Sequence, residues 1–276
     1  MDLIWQGPRL PAPGETVSGG EFFSALGGKG ANQASAAARL GAQVSFVGCV
    51  GSDGYGDEIR RDLVANSVDA TFMRVVDAAA TGTALINIDS NGENTIAVAP
   101  GANRHVTREQ IEEAIDALQP EILVVGFEIG IAAASHALAI GSERSLRTIC
   151  NPSPIDLTTS SWIRDSATIV VNEAECDAYG GASFLLKSGA GDVVVTLGAK
   201  GARRYKEDGS HQEFNAFSVE VLDTTGAGDA FCAALAVSND PNFAGAAGAL
   251  ATRGIGARAS LPTRPEVEAL IREQQQ

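Results

Sequence analysis

Apolar residues in this chain fall into two kinds of pattern, and the two alternate along most of its length. Ile122–Val125, Thr168–Val171 and Val193–Leu197 are short continuous apolar runs bounded by turn residues. Such runs predict strands buried on both faces, and Thr148–Cys150, ahead of the turn Asn151-Pro152-Ser153-Pro154, reads as another strand. Between the runs lie stretches with helical spacing. Ala31–Leu40 is a helix closed by Gly41, and Gly51-Ser52-Asp53-Gly54 turns into a second helix over Asp57–Ala65, after a strand at Gln43–Val47. Thr107-Arg108-Glu109-Gln110 is a capping box, Ile111, Ile115 and Leu118 mark one helix face, and Pro120 ends that helix. A helix is predicted from Ala227 to Val237, and Pro265–Gln276 reads as a short terminal helix with a solvated end.

A different rhythm occupies two other regions. Thr81–Ile88 and Glu93–Val98 alternate around Ser90-Asn91-Gly92, the mark of a hairpin. Leu3-Ile4-Trp5 and Thr16–Phe23 are further strand candidates, separated by the turn Pro11-Ala12-Pro13-Gly14. The expected architecture is α/β: a central, mostly parallel sheet with helices on both faces, plus a small separate β-layer from about 3–23 and 81–99.

Composition narrows what such a molecule does. At 276 residues the chain suits one large domain or a domain with a small appendage, and with 45% hydrophobic but only 5% aromatic residues its core is built of Ala, Val, Leu and Ile. A formal net charge of −14 argues against nucleic acid and anionic membrane as partners, so any anionic ligand is to be captured locally. Cys49, Cys150, Cys176 and Cys232 lack C-x-x-C spacing and read as buried thiols in a reducing compartment. His105, His136 and His211 are too scattered for a histidine metal site. Glu128 interrupts the longest apolar run, and MDLIWQGPRL has no signal-peptide layout, so a cytoplasmic location is expected.

The candidate chemistry centres on Asp223-Thr224-Thr225-Gly226-Ala227-Gly228-Asp229. Gly226 and Gly228 permit backbone conformations that a Cβ hinders, so amides of Gly226, Ala227 and Gly228 can converge on one oxyanion at the positive end of a helix. Asp229 in the first turn stays ionised beside that anion, which suits a hydroxyl held for phosphoryl transfer. An ordinary glycine turn with an N-terminal Asp is the alternative reading of the same residues. The dinucleotide fingerprint is absent, since Phe231 stands where its third glycine belongs, and Gly28-Lys29-Gly30 lacks the Ser or Thr of a Walker loop.

As a whole, DTTGAGDAF resembles the C-terminal signature of the ribokinase family of carbohydrate kinases, the PfkB superfamily. Gly27-Gly28-Lys29-Gly30-Ala31-Asn32-Gln33, followed by ASAAARLGA, resembles that family's N-terminal signature, and the resemblance extends over nearly the whole chain. It implies the three-layer fold of that family and ATP-dependent phosphorylation of a sugar primary hydroxyl, with D-ribose to D-ribose 5-phosphate as the first expectation. Another sugar, a nucleoside, or a binding protein that has lost catalysis are the alternatives. By resemblance, Asp229 is the base, with Gly226, Ala227 and Gly228 holding the transferring phosphoryl group. Asp2, Gly28, Lys29, Asn32 and Glu128 join Asp229 at the sugar.

Asn172-Glu173-Ala174-Glu175 resembles the family's N-x-x-E motif, implying that Asn172 and Glu175 order hydrated Mg²⁺ and the phosphates; a plain helix cap is the other reading. Thr196, Gly198 and Gly201 match nucleotide-contact positions of ATP. A monovalent cation, K⁺, is implied at the Asp223 carboxylate, the Ser260 hydroxyl, and the carbonyls of Thr225, Ala251, Gly254 and Gly256. The β-layer is implied to close over the sugar as a lid and to pair with its copy in a homodimer. Met1-Asp2 aligns just after the family's first core strand, so that strand and one sugar-binding Asn are expected to be missing. Two shortened segments, between Tyr179 and Asp192 and around Ser238–Asn242, are expected to thin the surface and weaken the nucleotide side.

Overall fold

Strands dominate the first third of the chain, strands and helices are interspersed through the middle, and three helices close it. In the computed structural model, which describes residues 1–274, β1 (Asp2–Gln6) and β2 (Glu21–Ala25) come first, then α1 (Lys29–Arg39). Of the strand expected at Gln43–Val47 only β3 (Val44–Ser45) forms, and a further strand, β4 (Gly48–Gly51), follows it. Then come α2 (Gly54–Ala65), β5 (Val68–Asp69), β6 (Met73–Val76), β7 (Thr83–Ile88), β8 (Asn94–Ala99) and α3 (Arg108–Leu118). The middle third holds β9 (Ile122–Gly126), α4 (Ile131–Glu143), β10 (Arg147–Asn151), β11 (Thr168–Asn172), α5 (Glu173–Ala178) and α6 (Ala182–Lys187). The last third holds β12 (Asp192–Thr196), β13 (Ala202–Lys206), β14 (His211–Phe214), α7 (Ala227–Ser238), α8 (Pro241–Ala251) and α9 (Arg264–Gln274).

The main sheet has the order β14-β13-β12-β11-β10-β9, parallel from β12 to β9 and antiparallel at β13 and β14. Period-2 alternation sends its side chains to two separate cores. Val125, Cys150, Ile169, Val171, Val193 and Val195 pack with α3, α4, α5 and α6 on one face. Ile149, Val170 and Val194 pack with α7, α8 and α9 on the other. This is why those strands read as continuous apolar runs: both faces are covered. Ala-rich helices serve the second face, and Ala36 of α1 meets Ala230 and Ala233 of α7 in a small-residue contact. Small side chains there let α1 and α7 approach closely, which brings their starts together.

β2-β1-β7-β8 form a separate four-stranded sheet, with β1 parallel to β7 and the outer pairs antiparallel. Much of its apolar surface faces solvent, with Phe22 67%, Ile96 58% and Val98 64% exposed. The strand expected over Thr16–Phe23 begins only at Glu21, because Gly19 and Gly20 take positive φ. β3 pairs only with β5 and β4 only with β6, so these four strands stand apart from the main sheet, which ends at β9. The turn expected from Gly51 starts one residue later, and α2 begins at Gly54, capped by Asp53, rather than at Asp57. Of the predicted terminal helix, Gln275 and Gln276 lie outside the described residues.

Candidate active site

The parallel strands of the main sheet end on one rim, at Gly126, Asn151, Asn172 and Thr196. Ligands of open α/β sheets sit beyond such carboxyl ends. Asn32 and Gln33, in the first turn of α1, and Asp229, in the first turn of α7, meet here. Asn32 Nδ2 donates to Asp229 Oδ2 at 2.8 Å, and Gln33 Nε2 donates to Asp229 Oδ1 at 3.2 Å. Gln33 Nε2 also reaches Asn151 Oδ1 at 3.1 Å, and Asn151 Nδ2 donates to Val170 O at 2.9 Å. Each oxygen of the Asp229 carboxylate is thus held by an amide, with the residue 6% exposed.

Two more carboxylates stand close by. Glu128 follows β9, and the backbone N–H groups of Lys29 and Gly30 at the start of α1 face its carboxylate. Asp2 lies against Gly27, where a Cβ would come within 2.2 Å of its Oδ2. A Cβ on Gly28, which has φ 90°, would lie 3.9 Å from Glu128 Oε2. Burial pushes all three carboxyls above their ordinary range. At Asp229, Lys29, the two amides and Arg258 oppose the rise; at Glu128, the charge of Asp229 adds to it. Asp2 is raised by burial and by Asp229, against the N-terminal ammonium and Arg258. A cluster of this kind offers acceptors that suit a ligand rich in hydroxyl donors. It repels a second anion.

The phosphate-binding candidate is the turn into α7. Gly226 has φ 80°, and a Cβ there would lie 2.8 Å from Ala257 Cα, so this position needs glycine twice over. Gly228 differs from the expectation: its φ is not positive, and a Cβ on it would meet nothing within 4 Å. The fold does not require glycine there, and a Cβ would point into open space. Ala227 also departs from the expectation, because its N–H closes the turn onto Thr224 O at 3.2 Å and is the least available of the three amides.

At the other end of the rim, Asn172 and Thr196 are register partners on β11 and β12. Asn172 and Glu175 form a reciprocal capping box: Glu175 N donates to Asn172 Oδ1 at 2.8 Å, and Asn172 N donates to Glu175 Oε2 at 2.9 Å. The cap reading of this pair is therefore what the structure contains, with one carboxylate oxygen and the amide nitrogen left for a hydrated ion. Gly198 (φ 57°) and Gly201 (φ 96°) shape the turn after β12. Among the described residues there is no group of three or more His, Cys, Asp or Glu side chains able to hold a metal.

The proposed monovalent-cation donors gather in one knot. Asp223 Oδ1 accepts from Thr225 N at 2.9 Å and Thr225 Oγ1 at 2.7 Å, and its Oδ2 accepts from Gly256 N at 2.8 Å. Ser260 Oγ donates to Ala251 O at 2.5 Å, and a Cβ on Gly254 would lie 2.9 Å from Ser260 Cβ. Burial raises the Asp223 carboxyl, but the bonds from Gly256 and Thr225 outweigh it and hold the group below its ordinary range. Asp223 and Ser260 thus bring side-chain oxygens to this knot, each already engaged by protein groups.

Three residues at the site carry no assignment from sequence: Gln33, Asn151 and Arg258. Gln33 and Asn151 lay inside quoted motifs, and Arg258 is the one long charged side chain in a loop of Gly, Ala and Ser.

Residues 1–264 match the family model described as pfkB family carbohydrate kinase. The chain is 35% identical over 283 residues to the ribokinase of Bacillus subtilis (strain 168), covering 98% of this chain and 96% of that one. It is 32% identical over 247 residues to the deoxyribokinase of Salmonella typhi, covering 84% and 80% respectively. The structure of Arabidopsis thaliana ribokinase complexed with ribose and ATP superposes with a TM-score of 0.87 at 27% identity, over 98% of this chain and 95% of that one.

Proposed function

Because this chain belongs to the pfkB family of carbohydrate kinases, we propose that it transfers the terminal phosphoryl group of ATP to the primary hydroxyl of D-ribose, giving D-ribose 5-phosphate. The observation that carries this reading is Asp229: a buried carboxylate, clamped by Asn32 and Gln33, in the first turn of a helix whose entry leaves room for a phosphate. Its role is to accept the proton of the attacking hydroxyl. Phosphoryl transfer has a loose transition state, so a weak base suffices and alignment supplies most of the rate. Asp2, Glu128 and Asn32 offer acceptors and a donor for the remaining sugar hydroxyls. The backbone at Gly226 and Gly228, with the α7 dipole behind it, stabilises charge on the transferring group.

ATP is proposed to lie along the rim past Asn172 and Thr196, with Gly198 and Gly201 shaping the far wall. Mg²⁺ bound with ATP neutralises phosphate charge, and Asn172 and Glu175 are the residues that would order it. K⁺ would sit at Asp223, Ser260 and the carbonyls of Thr225, Ala251, Gly254 and Gly256, next to the anion turn. The four-stranded sheet is proposed as a lid that excludes water, and its exposed Phe22, Ile96 and Val98 suit pairing with a second copy.

A second reading, 2-deoxyribose as acceptor, is favoured by the likeness to a deoxyribokinase. Coupled measurement of ADP release with D-ribose and with 2-deoxy-D-ribose decides between the two. A higher kcat/KM for ribose supports the first, and the reverse order replaces it with the second.

A further inference from the structure

Arg258 plays no part in the reaction as set out above, yet its guanidinium is fully engaged by the protein, with one nitrogen on the acceptor-pocket residue Asn32. Its side chain is 8% exposed. Nε donates to Asn32 Oδ1 at 2.9 Å, Nη2 donates to Gly27 O at 2.7 Å, and Nη1 pairs with the Asp62 carboxylate of α2. The partners come from two segments far back in the sequence, the stretch 27–33 and α2, and the loop that carries Arg258 also carries Gly256 and Ser260.

Asn32 has one amide oxygen and one amide nitrogen, and the two ends are not equivalent to Asp229. With the oxygen turned toward Asp229, two acceptors would face each other; with the nitrogen turned there, Asn32 donates. Arg258 removes the choice. A guanidinium has no acceptor, so an Asn32 rotated by half a turn would set its NH₂ against Nε–H and lose both bonds at once. The contacts to Gly27 and Asp62 hold the loop in place, while the contact to Asn32 acts on the chemistry.

We propose that Arg258 is a positioning residue for phosphoryl transfer: it locks the Asn32 amide so that Nδ2 faces Asp229, leaving one amide hydrogen and one oxygen lone pair of Asn32 for the sugar. The inference rests on Asp229 being the base, and the experiment separates the two.

Steady-state kinetics with D-ribose, calorimetric D-ribose binding and thermal melts are compared for wild type, Arg258→Met, Asn32→Ala, the double variant, Asp62→Asn and Asp229→Asn. Arg258→Met is expected to lower kcat about tenfold and raise the KM for ribose, and Asn32→Ala to do the same. The double variant is expected to be no worse than either single one within about twofold, because one removes the orientation of the other. Asp62→Asn, which keeps an acceptor for Nη1, is expected to lower the melting temperature and leave kcat/KM within about threefold. Losses that multiply in the double variant, or Asp62→Asn kinetics that copy Arg258→Met, overturn the proposal and leave Arg258 a structural strut. If Arg258→Met does not fold, the same cycle is run with Arg258→Gln. Turnover retained in Asp229→Asn refutes the base reading alone, since ribose affinity across the cycle still decides whether Arg258 and Asn32 act as one unit.

Discussion

Asn32 donates its amide hydrogen to Asp229 at 2.8 Å, joining the first turns of two helices whose residues are 197 positions apart. One hydrogen bond thus fuses the two motifs that sequence comparison treats separately. It also holds, with Gln33, a carboxylate that has no freedom to turn away, which is where the proposed function puts the reacting hydroxyl.

Replacing Asp229 by Ala removes the proposed proton acceptor and is expected to leave the anion turn intact. The expected result is a fall in kcat of about 10³-fold, within the usual range for a general base together with its positioning role. ATP binding, followed by calorimetry, is expected to stay within about threefold of wild type. A fall in ATP affinity that matches the fall in turnover would mean that Asp229 supports nucleotide binding instead.

Asp229 also sets a pH dependence of stability. Burial raises its folded pKa above the unfolded value, opposed by Lys29, Asn32, Gln33 and Arg258, while Asp2 and Glu128 add negative charge nearby. A carboxyl with a raised folded pKa binds more protons folded than unfolded. Its stabilising contribution is fully present below the unfolded pKa and is lost as pH rises through the folded one. The melting temperature of Asp229→Asn relative to wild type should therefore increase as pH rises above about 4, the ordinary Asp value. A difference independent of pH would show that the carboxylate is not strained by burial. For the same reason the acid limb of kcat/KM is expected above the ordinary carboxylate range.

How much of this was legible in the chain differs by element. Ile169-Val170-Val171 and Val193-Val194-Val195 announced strands buried on both sides, because their alternate residues feed two cores. β5 was not legible: a two-residue strand has no period, and only its pairing with β3 defines it. Asp229 and Asn32 were found because each sits in a local motif. Arg258 was not, since its contact with Asn32 spans 226 positions and no spacing rule reaches that far. The reciprocal cap of Asn172 and Glu175 was weighed against an ion site, and the same residue types serve both.

The two glycines of the anion turn should respond differently to alanine. Gly226→Ala places a Cβ at φ 80° and 2.8 Å from Ala257 Cα, and a loss of about 1–3 kcal/mol is expected in denaturant unfolding. Gly228→Ala meets nothing and is expected to unfold like wild type, yet to lose kcat because its methyl enters the space kept for the phosphoryl group. Equal stability losses in both, or full activity in Gly228→Ala, would remove the phosphate from this turn.

Asp223 is expected to govern the response to monovalent cations. Exchanging K⁺ for a bulky organic cation should lower wild-type turnover, and Asp223→Ala should show low turnover that no longer depends on K⁺. A variant as K⁺-responsive as wild type would place the cation elsewhere than the knot of Asp223, Gly256 and Ser260.

The most direct test is ADP release by the wild-type chain with ATP, Mg²⁺ and K⁺, in the presence and absence of D-ribose. Ribose-dependent release, with mass spectrometry finding one phosphate on the sugar at O5, is the expected result. ADP release that does not respond to ribose, or to any other sugar or nucleoside offered in its place, would contradict a kinase built around Asp229.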